Sequence, residues 1–560
     1  SYSLRSDWVS GGRARANGSR SMMTTTSMMK RLRIFLPSVL VGFSLTPPAP
    51  AEDVASAPAV ALAQGTVFAD TNGNGLRDDG EPGLEGVAVS YQKEVVETDA
   101  EGKWSLPHDE DPIFFVIKPT GWATPLDSQN LPEFYHIHKP GGSPEGFRYA
   151  GVDPTGPLPG SIDFPLHRQD EPERFQAIFF GDPQPASQDE VDYIAHDVIA
   201  ELVGTDARFG VTLGDIMFDR LELLDSSNAN VALIGIPWYN VIGNHDVNRE
   251  ATNDADSDET FTRYFGPNYY SFDYGPVHFI VLDDVDWGHE HRNGHLTYRG
   301  GIDADQIEFV KNDLAFVPEE RLVVLMMHIP MLDVGNRAEL YRLIEKRPHT
   351  LSISGHTHWQ AHQYIGKEDG WQGEKPHHHI VTVTVSGSWW KGEKDEQGIP
   401  HATMRDGAPN GYAIITFDGT GHTFDFKAAR EPASYQLHVF APDEISVGKS
   451  ELVDVYVNVF NGSEKSEVRM RIGDRGPWVV LAKTGESDPQ YTAVRQREIA
   501  RDPDGKRHLS GPVPSAHLWK AKLPAGMVAG SHLIRVEGTD AYGRMHTGKR
   551  VIRLVNPDPG

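Results

Sequence analysis

Five short polar segments, each set directly after an apolar run, constrain this chain more than any other feature. In order they are Gly181-Asp182-Pro183-Gln184, Gly214-Asp215, Gly243-Asn244-His245-Asp246, Met327-His328 and Gly355-His356-Thr357-His358, with Asp219 a weaker addition. The runs before them cover 175–180, 209–213, 238–242, 322–326 and 351–354, and read as buried strands. Further strands are expected at 277–282, 380–385 and 412–417, and helical spacing at 191–203, 304–314 and 338–345. Strands alternating with helices, with polar groups clustered at strand ends, predict a layered α/β fold whose site lies along one sheet edge.

At 560 residues the chain is too long for one core, so flanking domains are expected. The formal charge of -27 argues against broad nucleic-acid binding, which needs basic surface to displace counterions. It would also repel anionic substrates unless metal ions invert the local field. With no cysteine, thiolate chemistry, disulfides and Cys-ligated zinc are excluded. Residues 1–51 read as an upstream extension plus a secretory signal peptide. Its basic start is Lys30-Arg31-Leu32-Arg33, its apolar stretch covers 34–45, and Ala49-Pro50-Ala51 offers a cleavage site. A periplasmic or secreted bacterial protein is expected. Without another long apolar run, no stable membrane insertion is expected.

Residues 62–165 read as a β-sandwich ending in irregular Pro-, Gly- and His-rich chain from 120 onward. Between its first strands, Asp70, Asn72, Asn74, Asp78 and Glu81 stand at positions 1, 3, 5, 9 and 12 of a loop. Glycine at position 6 and the Leu76 carbonyl at position 7 complete EF-type spacing, so calcium is expected there. A metal-free Asn/Gly/Asp hairpin is the competing reading. Residues 433–557 lose the helical signal and alternate as strands, predicting a second all-β sandwich with a supporting role or, as the sharper alternative, carbohydrate binding.

With the five segments in order, residues 173–428 resemble the calcineurin-like metallophosphoesterase superfamily, and the flanks resemble the transthyretin-like and C-terminal β-domains of its secreted bacterial members. The resemblance implies a four-layer sandwich, two central mixed sheets flanked by helices, and two divalent ions (Mn, Fe, Zn or Mg). One ion would take Asp182, Gln184, Asp215 and His358; the other would take Asp215, Asn244, His328 and His356, with Asp215 bridging. Such a pair can activate a water to a hydroxide nucleophile and clamp the transferred phosphoryl group. If 356–358 is extended, both imidazoles face the same way. By the resemblance, His245 points into the phosphate site, with Asp246 expected on its other ring nitrogen. Gln184 departs from the commoner histidine. A neutral, harder donor weakens that position for zinc and favours manganese, magnesium or iron; a Gln184 bonded to a metal's water is the alternative.

The implied activity is hydrolysis of a small or envelope-derived phosphoester, either a monoester or a diester. The alternative of another class is an envelope or carbohydrate-binding protein with an inactive phosphoesterase-like domain. Specificity is expected in the loops: 283–301, Gly387-Ser388-Trp389-Trp390 and 406–412, with Arg220 and Arg249 as candidate phosphate contacts. Among 25 histidines, His196, His278 and His289 read as packed or surface residues, and His377-His378-His379 as a solvated run.

Overall fold

The apolar runs become strands of two mixed sheets, all of them inner except Trp238–Val241 at one edge. The computed structural model describes residues 62–108, 111–503, 505 and 507–557; the stretch read as a signal peptide lies outside them. The first sheet is ordered Trp238–Val241, Phe209–Leu213, Arg174–Phe180, Gly411–Asp418, Gly421–Ala428, its first three strands parallel and the last two antiparallel. The second is ordered Tyr270–Tyr274, Val277–Val281, Leu322–Met326, Thr350–Ser354, His377–Val381, Ala361–Ile365, parallel inside and antiparallel at both edges. Phe175, Phe209, Phe279 and Phe417 meet between the sheets with ring centroids 5.2 to 6.5 Å apart. Burying each such ring stabilises the fold by about 1.5–3 kcal/mol.

Helices close the outer faces. Ile194, Val198, Ile199 and Leu202 pack on Ile178, Phe180 and Trp238 of the first sheet. Helix Ala304–Leu314 is started by Asp303, whose carboxylate accepts the amides of Asp305 and Gln306, and its Phe309 and Val310 join the core containing the second sheet. The expected four-layer metallophosphoesterase arrangement is present.

The N-terminal sandwich pairs a sheet of Lys103–Pro107, Leu62–Ala69, Phe164–Arg168 and Trp122–Ala123 with one of Glu94–Glu97, Ala88–Tyr91, Ile113–Val116 and Tyr135–Ile137. Residues 120–165 are thus not merely irregular: they supply two short strands too brief to show alternation, and the last strand runs on to Arg168. This sandwich shares a core with the second central sheet, Phe115 meeting Phe309 at 5.7 Å and Phe134 meeting Tyr270 at 4.9 Å.

The C-terminal sandwich has its own core, with Val455, Val457 and Trp519 of one sheet against Met470, Ile534 and Val536 of the other. Against expectation it contains a helix, Pro489–Arg501, with Pro at its start and Asp488 accepting the Tyr491 amide. Only Tyr491 and Glu498 of this helix are buried, so no apolar stripe betrayed it. A second correction concerns His377-His378-His379, which form an interior strand rather than a solvated run. His377 and His379 are buried because Ser352 Oγ lies 2.7 Å from a ring nitrogen of each, and Thr350 and Ser354 bond the remaining nitrogens. Polar residues can occupy a central strand when every ring nitrogen finds a partner. Among the described residues no helix is long and apolar enough to cross a membrane.

Candidate metal centre

Parallel strands deliver their C-terminal loops to one edge, and the five polar segments converge there. Asp182, Gln184, Asp215, Asn244, His328 and His358 are all at most 3% exposed, and His356 is half-buried. His328 Nε2 lies 3.3 Å from Asp215 Oδ1, 3.1 Å from Asn244 Oδ1 and 3.1 Å from His356 Nδ1. Donor atoms of Asp215, His328 and His356 all fall within 4.8 Å of one another. On the other side His358 Nε2 stands 3.8 Å from Asp182 Oδ1. The Asp182 carboxylate accepts the His356 amide at 2.8 and 3.0 Å, which docks the histidine loop onto the first strand's end.

Two imidazoles have their tautomers set by carbonyls, which only accept. His328 Nδ1 lies 2.8 Å from Leu213 O and His358 Nδ1 2.6 Å from Gly387 O. Each Nδ1 therefore carries a proton, and each Nε2 faces the cluster. Burial would lower His328, but Asp215 raises it to about 10, so its Nε2 offers a lone pair only once a cation replaces that proton. The segment 356–358 is not extended: His356 has φ +74° and His358 φ +58°. Both rings reach the cluster because a tight left-handed bend, with Thr357 N bonded to Gly355 O at 3.0 Å, replaces the expected alternation.

Twelve non-glycine residues have positive φ among those described, and eight are in or beside this cluster: Asp182, Gln184, Asp215, Asp219, His356, His358, Trp389 and Trp390. Backbone strain gathered in one place marks a site whose geometry is held by its surroundings. Glycine is needed where the loops touch. A Cβ on Gly243 would stand 2.0 Å from Asp215 N, and one on Gly214 would meet the His328 ring at 2.4 Å with φ +80°.

Carboxylate is in excess here. Burial, with Asp215 nearby, pushes Asp182 up to about 8. Burial would also raise Asp215, but His328 and His245 outweigh it and hold it well below the usual carboxylate range. Burial depresses His356 and His358 to about 3, so both are neutral donors. Among the described residues no Lys or Arg bonds Asp182, Asp215 or Asn244. Buried carboxylates, an amide oxygen and converging imidazole lone pairs, with no thiolate, suit divalent cations.

Two expectations change in detail. Gln184 reaches the cluster, but its amide N–H donates to Asp215 Oδ2 at 2.7 Å while its carbonyl accepts the Trp389 indole N–H at 2.5 Å. Asp246 does not hold His245. Its buried carboxylate accepts the amides of Gly243, Ile216 and Met217, fixing the loop around Asp215. Asp219 takes that place, its Oδ1 2.7 Å from His245 Nδ1 and 2.7 Å from Arg249 Nη2. A carboxylate next to histidine in sequence points away from it here because the turn needs its oxygens. Burial would lower His245, but Asp215 and Asp219 together raise it.

Phe218 stacks on His245 at 4.4 Å. The segment 283–301 folds into a hairpin of Val285–Glu290 and Leu296–Gly300, which carries Tyr298 to 6.0 Å from the His356 ring. The tandem tryptophans divide: Trp390 packs in the core, whereas Trp389 lies on His358 at 4.0 Å. Arg220 instead pairs with Glu222 at 2.5 Å. His196 is exposed, His289 pairs with Asp286 at 2.9 Å, and His278 is buried between two carboxylates. Tyr298 and Phe218 were missed because no motif marks an aromatic that reaches the site from a hairpin or turn.

Three family models match successive parts of the chain: the N terminal of calcineurin-like phosphoesterase over 71–151, calcineurin-like phosphoesterase over 176–360, and the C terminal of calcineurin-like phosphoesterase over 378–546. The chain belongs to the calcineurin-like phosphoesterases, and is a metal-dependent enzyme of phosphoester hydrolysis. Curated proteins yield no match. Among solved structures, a purple acid phosphatase from yellow lupin (Lupinus luteus) seeds aligns at 12% identity and TM-score 0.33, over 61% of this chain and 66% of that one. A superoxide reductase from Ignicoccus hospitalis aligns at 9% identity and TM-score 0.14, over 22% of this chain and 81% of that one. At these scores neither likeness bears on activity.

Proposed function

We propose that this protein is an exported phosphoesterase working with two divalent cations. Asp182, Asp215 and His358 would hold one, and Asp215, Asn244, His328 and His356 the other. The supporting observation is the convergence of Asp215 Oδ1, Asn244 Oδ1 and His356 Nδ1 within 3.3 Å of His328 Nε2. Bound there, divalent ions would polarise the phosphoryl oxygens and make water nucleophilic near neutral pH. Gln184, with its N–H on Asp215 and its oxygen shared with Trp389, orients the shared carboxylate; any direct ligation would use the second lone pair of its oxygen.

The side chains contribute the rest. Asp219 on Nδ1 leaves Nε2 of His245 as the atom that carries a transferable proton, and a positioned imidazolium can protonate a leaving alkoxide. Arg249, half-exposed beside it, adds positive charge where an anionic ester approaches. The test uses para-nitrophenyl phosphate and its bis-ester across manganese, zinc, magnesium and iron, with Asp215→Asn as control. Metal-dependent turnover lost in that variant is expected, and the ester preferred separates monoesterase from diesterase. Bound metal without turnover of either ester would favour the envelope-binding alternative.

Export rests on the basic and apolar stretches before Glu52; a secreted or periplasmic product beginning near Glu52 by N-terminal sequencing is the expected outcome. Calcium at 70–81 is supported by loop bonding. Asp70 accepts the amides of Gly73 and Gly75, Asn72 and Asn74 each accept the amide two residues on, and Glu81 accepts those of Thr71 and Asp78. These bonds hold the oxygens of positions 1, 3, 5 and 12 around one turn, with Asp78 bonded to both Asn side chains.

A further inference from the structure

Residues 386–408 form a loop with two bonded sides. One side touches the candidate centre: Ser386 Oγ donates to Asp182 O at 2.8 Å, Gly387 O accepts from His358, Trp389 donates to Gln184, and Arg405 N donates to His358 O at 3.2 Å. All of these partners lie in the Asp182–Gln184–His358 half. The other side is gripped by the C-terminal sandwich. Tyr491 of helix Pro489–Arg501, 2% exposed, places its hydroxyl 2.8 Å from Ser388 Oγ and 2.9 Å from Ser510 O. Ser388 Oγ also lies 2.7 Å from Thr403 O, so the two single-proton hydroxyls share these carbonyls with each other. Glu498 accepts the Glu393 amide at 3.1 Å and the Leu509 amide at 2.9 Å. His517, fully buried, bridges Asp406 at 2.9 Å and Asn458 at 2.7 Å, while Asp406 also accepts the Gln360 amide.

We propose that the C-terminal sandwich is a positioning element of the metal centre, acting through Tyr491 and Ser388 on Trp389 and Gly387. It sets cation affinity mainly in the Asp182–Gln184–His358 half and reaches the Asn244–His328–His356 half only through the shared Asp215. A helix carrying two buried polar side chains and no apolar stripe has its purpose in these bonds. Removing an outer partner that orients a metal ligand typically costs 10–100-fold in metal affinity. The inference rests on the two-cation reading above.

The experiment measures manganese affinity and stoichiometry by equilibrium dialysis of the full chain, with calcium present to occupy the 70–81 loop. The variants are Tyr491→Phe and Ser388→Ala, with Tyr456→Phe, whose hydroxyl bonds Glu486 at 2.9 Å elsewhere in the same sandwich, as control. The expected result is two equivalents in the wild type and the control. Each test variant should weaken one affinity by about tenfold and the other by clearly less. Equal weakening of both equivalents, or no change in either test variant, would overturn the proposal while leaving the two-cation reading intact. A wild type that binds fewer than two equivalents would instead remove that reading, and the proposal with it.

Discussion

His278 offers a stability test that rests on a buried ion pair outside the candidate metal centre. Its ring, 1% exposed, has Nδ1 2.8 Å from Asp273 and Nε2 2.9 Å from Asp313. Burial by itself would depress the imidazolium, but Asp313 and Asp273 outweigh it and raise it from 6.5 to about 9. A folded value above the unfolded one means the charged ring stabilises fully below about 6.5, and this contribution is lost as pH rises through about 9. The gap corresponds to about 3 kcal/mol. His278→Gln cannot carry the charge and leaves Asp313 buried against a neutral amide; breaking such a pair costs about 3–5 kcal/mol.

The assay is urea unfolding of wild type and His278→Gln from pH 6 to 9.5. Midpoint differences are compared rather than absolute free energies, because several cooperative units share the chain. The variant should be weaker by several kcal/mol at pH 6, and the gap should close by about 3 kcal/mol toward pH 9.5. A gap of constant size would refute the reasoning, since it would mean that the native ring is neutral throughout. The consequence reaches the active edge. Strand Val277–Val281 pairs in parallel with Leu322–Met326, which leads into His328, and Asp273 also anchors Arg321 at 2.6 Å.

Three other outcomes follow from the site and the loops. Asp219→Asn keeps an acceptor for His245 but removes the charge, so kcat should fall on the order of 10²-fold with bound metal unchanged; a matching loss of metal by elemental analysis would contradict this. Gln184→His replaces an amide with a softer imidazole and frees the Trp389 indole, so competitive dialysis should show preference moving from manganese toward zinc. Equal preference in both proteins would count against the softness reasoning. Glu81→Gln removes a charged oxygen that accepts the amides of Thr71 and Asp78, and should abolish the calcium-dependent rise in melting temperature expected of the wild type.

What could be read in advance follows from where information is local. Asp182, Asp215, Asn244, His328, His356 and His358 announce themselves because each follows an apolar run, and parallel strands must end on one edge. The partner of His245 was not local: Asp246 is adjacent but spends its oxygens on three loop amides, and Asp219, from the preceding segment, reaches the ring instead. Trp389 and Tyr298 arrive from separate loops, so no spacing encodes their proximity. The helix Pro489–Arg501 escaped notice because it buries one tyrosine and one glutamate rather than an apolar face. The buried histidine strand escaped because its partners, Ser352 and Ser354, lie on the neighbouring strand.

The left-handed residues explain why so much of the chain surrounds so small a site. Asp tolerates that conformation through local hydrogen bonding, but Gln184, His356, His358, Trp389 and Trp390 gain no such relief. At about 1–3 kcal/mol each, five such residues cost on the order of a domain's entire net stability. That cost has to be offset outside the loops themselves. The two-sheet aromatic core supplies rigid strand ends, Asp182 pins the His356 amide, and Tyr491 with Glu498 holds the loop carrying both tryptophans. A catalytic sheet pair without its C-terminal neighbour would keep its strands and lose restraint on four of those five residues, Gln184, His358, Trp389 and Trp390. The sandwich that carries no ligand of its own is therefore part of what keeps the ligands in place.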